Sequence, residues 1–272
     1  MPTELLLFLS GLAAGAFGGL LGLGGGILIV PILTIGFGVP ITAAAGVSLV
    51  SVIATSAGGA AFNVRNRRAD VRIGMLLAAG TVVGALTGGV LAGILPDRVL
   101  AGLFAALMAY TAVTMGRRLL RRGDVNERQA DAAVDPSLPD DDPAAPAYRG
   151  RRVGPGIGLS FVAGNVSGLL GVGGGVVVVP LMNLVLGAPL SVAAATSNFM
   201  IGMTAAAGAY AYLFRGDVDP ALAAPMVIGV VIGASLQARV AHRIPTTALR
   251  VAFIAVLAYV TYEMALRALG AA

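Results

Sequence analysis

A chain of 272 residues that is 57% hydrophobic and only 11% charged, with a mean hydropathy of +0.90, lacks the roughly one-quarter charged residues of a soluble domain. Its 18 basic residues are all arginine and leave a net charge of +5, but aromatic side chains are not interleaved with them, so no stacking platform for nucleic acid exists. Cysteine is absent, which excludes disulfides, thiolate metal sites and thiol chemistry; the composition points to an all-α, polytopic membrane protein.

Eight apolar segments are predicted at about 5–35, 40–62, 73–95, 98–116, 153–187, 189–214, 220–242 and 246–268, each long enough to cross a ~30 Å hydrocarbon core. The first begins "MPTELLLFLSGLAAGAFGGL". It has no basic n-region and runs into the motif described next, so it reads as a retained membrane segment and not a cleaved leader. Its second part, "GLLGLGGGILIVP" at 19–31, returns as "GLLGVGGGVVVVP" at 168–180, with nine of thirteen residues identical.

Two physical readings of this motif coexist. Gly15, Gly19, Gly22 and Gly26, like Gly164, Gly168, Gly171 and Gly175, step by three or four residues and form a small-residue ridge for close helix packing. The triple glycines Gly24–Gly26 and Gly173–Gly175 each cost a helix about 1 kcal/mol relative to alanine. Pro31 and Pro180 then bias the preceding residue away from the helix and suit the first turn of a new one. The expectation is a broken helix whose second piece starts near Pro31, presenting the amides of Ile32 and Leu33 to an anion. A nucleotide loop is excluded, because the runs fail G-x-G-x-x-G and have no Walker lysine.

The second segment carries Thr42, Ser48, Ser51, Thr55 and Ser56; Ser48, Ser51 and Thr55 share a helical face. The third has a glycine ridge at Gly80, Gly84 and Gly88. After the fourth, residues 117–152 hold seven of the thirteen acids and eight of the eighteen bases, with Pro136, Pro139, Pro143 and Pro146, the composition of a flexible linker. Asn165 and Ser167 precede the second glycine run, Asn183 follows it, and the sixth segment carries Thr196, Ser197, Asn198 and Thr204. An isolated Ser or Thr at such depth commonly bonds its own helix's i−4 carbonyl, whereas buried asparagines mark functional sites more strongly. Glu263 is the exceptional carboxylate and reads as interfacial, and His242, between Arg239 and Arg243, as a loop residue.

The repeat extends through Pro40/Pro189, Ser48/Ser197, Gly80/Gly229, Gly84/Gly233, Pro96/Pro245, Phe104/Phe253 and Tyr110/Tyr259, all 149 residues apart. The chain therefore divides into repeats at 1–116 and 153–272 around the 117–152 linker. Substrates of duplicated transporters bind between such halves. Arginines clustered at segment ends place the linker in the cytoplasm. Eight crossings, the simpler topology, orient both halves alike with fourteen arginines inside and four outside. Re-entrant first segments invert the halves and give fifteen against three.

No catalytic set, paired carboxylate or metal-ligand spacing can be assembled, so neither an enzyme nor a metal or cofactor is expected. An interior of hydroxyls, amides and backbone N–H groups suits an oxyanion. The duplicated "GLLGxGGGxxxVP", followed by Pro40 and "AAAGVSLVSVIATSAGG" or by Pro189 and "AAATSNFMIGMTAAAG", resembles the TauE/SafE family of sulfite exporters. The resemblance implies an eight-segment, duplicated permease of the inner (plasma) membrane for sulfite, sulfonates or other small organic anions. It carries the glycine runs, Pro31, Pro180, Ser48, Thr196, Ser197 and Asn198 over as site elements; Val47 departs from the family's Gly-Thr-Ser. With Ser51 and Asn165 these make up the candidate substrate site. The expected partners are a small anionic substrate, the bilayer and a coupling ion (proton or sodium), with a homo-oligomer as an open option and no nucleic acid. An anion channel and a non-transporting subunit packed through its glycine ridges are the alternatives.

Overall fold

The structure, a computed structural model, describes residues 3–20, 25–65, 70–120, 153–188, 190–240 and 246–270. Gly24, most of the linker, Pro189, His242 and Pro245 lie outside the described residues. Ten helices account for nearly everything described: α1 (Thr3–Leu20), α2 (Gly26–Pro31, continued by one wide π turn, Ile32–Gly36), α3 (Ile41–Arg65), α4 (Val71–Ala92), α5 (Asp97–Leu120), α6 (Val153–Leu170), α7 (Gly175–Leu186), α8 (Leu190–Arg215), α9 (Pro220–Val240) and α10 (Thr246–Leu269). Helix α5 runs past the predicted end of its segment. The described residues contain no strand.

Burial is inverted relative to a soluble protein. Ser48, Ser51, Thr81, Ser160, Ser167, Thr196, Ser197 and Thr204 are inside, while Met75, Val83, Val90, Val113, Val162, Ile228 and Tyr259 are among the large side chains left outside. So broad an apolar exterior requires lipid around it. Val71–Ala92, Asp97–Arg117 and Ala252–Leu269 are long and apolar enough to cross a membrane on length and composition alone. Helices α3, α8 and α9, of 25, 26 and 21 residues, also reach 30 Å or more at 1.5 Å per residue.

Glycine seams fix the relative directions of these helices. A methyl placed on Gly80, Gly84 or Gly88 of α4 would lie 2.7, 2.1 or 2.2 Å from the carbonyl oxygens of Ile157, Phe161 and Asn165, and one on Gly164 or Gly168 would meet those of Thr81 and Ala85. Residue numbers rise together along this seam, so α4 and α6 are parallel. The pseudo-equivalent seam joins α1 to α9: Gly11 and Gly15 face the carbonyls of Met226 and Val230, and Gly229 and Gly233 those of Phe8 and Leu12. Each half thus lends its first helix to the other half. Helices α3 and α8 cross antiparallel at the centre, with Gly46 against Tyr212, Leu49 against Gly208 and Ser56 against Gly202.

These directions settle the course of the glycine-rich segments. Gly156, near the start of α6, has Leu186, at the end of α7, beside it, so α6 and α7 form a hairpin that enters and leaves on one face. In the first half Gly25 returns to lie against Ala14 and Gly15 of α1, and α3 then starts from the face where α1 began. Among the described residues each first segment is therefore a helix and a returning half-helix, not one continuous span, and the long helices of the two halves run in opposite directions, the inverted arrangement. The cause is local: Gly25, Gly171, Gly173 and Gly174 have φ of +77°, +71°, +79° and +83°, left-handed turns that reverse the chain where hydropathy alone reads a continuous apolar run.

Candidate functional site

Both hairpin tips reach the middle of the bundle. Helix α2 starts beside Ser48 and Val52 of α3, and the α6–α7 turn lies against Ala45 and Val52 of the same helix. The break falls at the glycines themselves and not at proline. Gly25 and Gly174 are the N-caps of α2 and α7, while Pro31 and Pro180 lie inside the resulting half-helices. This corrects the expected start near Pro31. The amide of Ile32 is not free, since it donates to the carbonyls of Leu28 and Ile29. Each proline is the sixth residue of its half-helix, so its missing N–H forgoes the bond to the Ile27 or Val176 carbonyl four residues back, and in the first half the helix widens into the π turn directly after Pro31.

The amides offered at the second break are those of Gly175 and Val176. The first closing bonds of α7 run from Val177 and Val178 to the Gly174 carbonyl, at 3.0 and 2.9 Å, which leaves the two preceding N–H groups without an intrahelical acceptor. Two serines flank this end. A methyl on Gly174 would lie 3.4 Å from Ser167 Oγ, and one on Gly175 would lie 3.6 Å from Ser197 Oγ. Both side chains are 1% exposed, and neither hydroxyl oxygen has a hydrogen-bond partner.

The pseudo-equivalent positions behave differently. Ser48, the counterpart of Ser197, donates its hydroxyl to the Gly171 carbonyl at 2.6 Å, with the Gly26 carbonyl 3.1 Å away on its other side. One side chain thereby joins the two hairpin tips. The counterpart of Ser167 is Gly18, where a methyl would stand 2.2 Å from the Cα of Gly25, so the N-cap of α2 packs directly on α1.

The other sequence candidates spread out around this centre. Ser51 donates to Val47 of its own helix at 3.0 Å, as Thr55 and Ser56 do to carbonyls three or four residues back. Thr196 accepts the Asp70 amide at 2.9 Å and Asp70 accepts that of Ile73, which together cap α4. Asn165 donates to Thr87 at 3.0 Å on the α4–α6 seam. Asn198 is half-buried, about 100° around α8 from Ser197. Thr204 donates to Thr81 at 2.8 Å, with the Met200 carbonyl 3.0 Å away. Ser167 was noticed only as a polar neighbour of the glycine run; its mismatch with Gly18 across the repeat was the available signal.

Electrostatically the centre is bare. No Asp, Glu, Arg or His occurs from 5 to 64 or from 153 to 214, the stretches that supply both hairpins, α3 to its penultimate residue and α8 likewise. Charge gathers at the helix ends. Arg215 binds Asp217 (2.7 Å), donates to the Gly89 carbonyl, and lies 4.7 Å over the ring of Tyr212. The Tyr212 hydroxyl is 2.9 and 3.0 Å from the carbonyls of Gly168 and Leu169, so this cluster ties α8 to the ends of α4 and α6. The centre can therefore offer hydrogen-bond donors and a half-helix dipole, but no counter-charge.

The family described as "Sulfite exporter TauE/SafE" matches residues 7–264. The chain is 28% identical over 250 residues to "Probable membrane transporter protein YunE" of Bacillus subtilis, covering 89% of each chain. It is 26% identical over 253 residues to "Probable membrane transporter protein YdhB" of the same organism, covering 92% of this chain and 94% of the relative. A "Probable membrane transporter protein" of Methanocaldococcus jannaschii is 26% identical over 265 residues, covering 90% of this chain and 89% of the relative. No solved structure gives a significant match. From the duplicated hairpins to the matched span, the chain belongs to the sulfite exporter TauE/SafE family and is a membrane transporter.

Proposed function

We propose that the protein is a secondary carrier for a small oxyanion (sulfite, an organosulfonate or a related organic anion) that works by alternating access between the two inverted halves. One observation carries this reading: two chain breaks meet at mid-depth in an interior built from residues without a charged side chain. Half-helix N-termini and unpaired N–H groups at such a place attract negative solutes, and the lack of carboxylates removes the repulsion an anion would otherwise meet. The printed family description and the relatives' names support the transport class.

The inverted topology also supports the proposed orientation. The arginine-rich stretches 65–72 and 117–152 connect helix ends on one face, which makes that face cytoplasmic by the positive-inside rule and leaves three arginines on the other. Localisation to the plasma (inner) membrane is part of this proposal and is supported by the family resemblance. Proteoliposomes loaded with sulfite or methanesulfonate test the function. A carrier gives saturable exchange at low turnover, steady ionic current would make it a channel, and no anion-dependent flux under either gradient would refute transport of this class.

A further inference from the structure

The two breaks are alike in sequence and in the two amides each leaves without an intrahelical acceptor, Gly26 and Ile27 in one and Gly175 and Val176 in the other, and unlike in the hydroxyls beside them. In the first half, Gly18 lets Gly25 pack against α1, and Ser48 spends its only proton on the Gly171 carbonyl, with that of Gly26 beside it. In the second half, Ser167 stands where Gly18 stood, and Ser197, the equivalent of Ser48, keeps its proton free. Both hydroxyls border the N-terminus of the twelve-residue α7. Thr34 and Ser160 are also buried without partners, but Ser160 packs against Gly80 on the α4–α6 seam and Thr34 sits in the π turn below α2, so neither meets a helix start.

A buried unpaired hydroxyl is costly unless something binds it. Two of them beside two amides without an intrahelical acceptor gather four donors at one helix start, the chemistry a small oxyanion requires. The charge of the guest follows from what is missing. A half-helix start supplies about half an elementary charge, no cation is near in the sequence of either hairpin, and the desolvation cost of an ion rises with the square of its charge. We infer that the duplicated motif has divided its labour. The carrier has one substrate site, at the start of α7, where Ser167, Ser197 and the amides of Gly175 and Val176 hold a singly charged oxyanion, and the first-half loop is the fixed abutment. This inference rests on the anion-carrier reading above. It also means that no side chain at the site exchanges protons with the substrate, so pH acts through the charge of the anion itself.

The test uses the full-length purified protein with methanesulfonate, sulfite and sulfate as probes, measuring affinity by calorimetry, thermal unfolding without ligand, and flux in proteoliposomes. Ser167→Ala and Ser197→Ala should each weaken methanesulfonate binding about tenfold to a hundredfold, the worth of one hydrogen bond to a charged group. Neither should lower the unfolding temperature of the unliganded protein, because the deleted hydroxyls bond nothing. Ser51→Ala should bind as wild type does. Sulfite affinity should fall as rising pH converts the monoanion to the dianion, while methanesulfonate affinity stays flat. The inference is overturned if both serine variants keep wild-type affinity, if either loses stability without ligand, or if sulfate binds as tightly as methanesulfonate. Wild-type protein that carries none of the three anions overturns the carrier reading itself, whereas normal carriage by both serine variants overturns only the site.

Discussion

Replacing Gly84 by alanine probes the seam that holds the inverted halves together. The added methyl would sit 2.1 Å from the Phe161 carbonyl oxygen and 2.8 Å from the Asn165 nitrogen, against an ordinary C···O contact of about 3.3 Å, so α4 and α6 must part by more than 1 Å. At Gly80, Gly84 and Gly88 a Cα–H bond points at a facing carbonyl, and three such contacts at about 0.5–1 kcal/mol each contribute about 2–3 kcal/mol. A gap of that size also forfeits a quarter to a half of the dispersion along the seam, roughly another 1–2 kcal/mol for about thirty atom pairs. Alanine returns up to about 1 kcal/mol in helix propensity, leaving a net loss of about 2–4 kcal/mol. At about 2–4 °C per kcal/mol, the unfolding temperature in detergent should drop by roughly 5–15 °C. Gly233→Ala, whose methyl meets the Leu12 carbonyl at 2.2 Å on the pseudo-equivalent seam, should fall by a similar amount. Gly158→Ala, on α6 with nothing within 4 Å, should be neutral or up to about 1 kcal/mol more stable. Equal shifts for Gly84→Ala and Gly158→Ala would refute close backbone contact as the cohesive element.

Ser48→Ala removes the proton shared between the hairpin tips and strands the Gly171 carbonyl; it should cost about 1–2 kcal/mol, read as a lowered unfolding temperature, and an unchanged temperature would contradict the tether. Gly174→Ala places a side chain at φ +83°, a conformation costing about 1–2 kcal/mol for L-residues, and pushes a methyl to 3.4 Å from Ser167 Oγ; anion flux should fall more steeply than stability does. Because the chain has no cysteine, single cysteines at Thr3 and Gly154 report topology directly. A membrane-impermeant maleimide should label them from opposite sides of oriented vesicles, and labelling from one side would restore parallel halves.

How much of this was legible in the sequence depended on whether the signal was periodic or conformational. The repeat, the glycine ridges at Gly80, Gly84 and Gly88, and a break in each first segment are written in spacing and composition. The place of the break was misread because proline is the louder local signal, yet Pro31 and Pro180 fit within a half-helix, and the reversal is made by glycines at positive φ. That reversal decides the topology, and the arginine balance of fifteen to three against fourteen to four was too slight to show it. Thr196 comes with Ser197 through the family resemblance, but one step along a helix is a 100° turn and its oxygen accepts the Asp70 amide at the start of α4. The difference between Gly18 and Ser167 is visible in the aligned halves, but its meaning needs the distances: Gly25 lies against the one, whereas Gly174 leaves room for the hydroxyl of the other.

The crossed seams also govern how the molecule comes into being. The glycine face of α1 packs on α9, more than two hundred residues downstream, so at roughly 5–20 residues per second the first hairpin waits about ten to forty seconds of translation for its mate. The amino-terminal half made alone has no native surface on which to settle α1, nor the carboxy-terminal half one for α6. The two fragments should be degraded when made separately and recover each other when made together, an obligate partnership inside a single polypeptide.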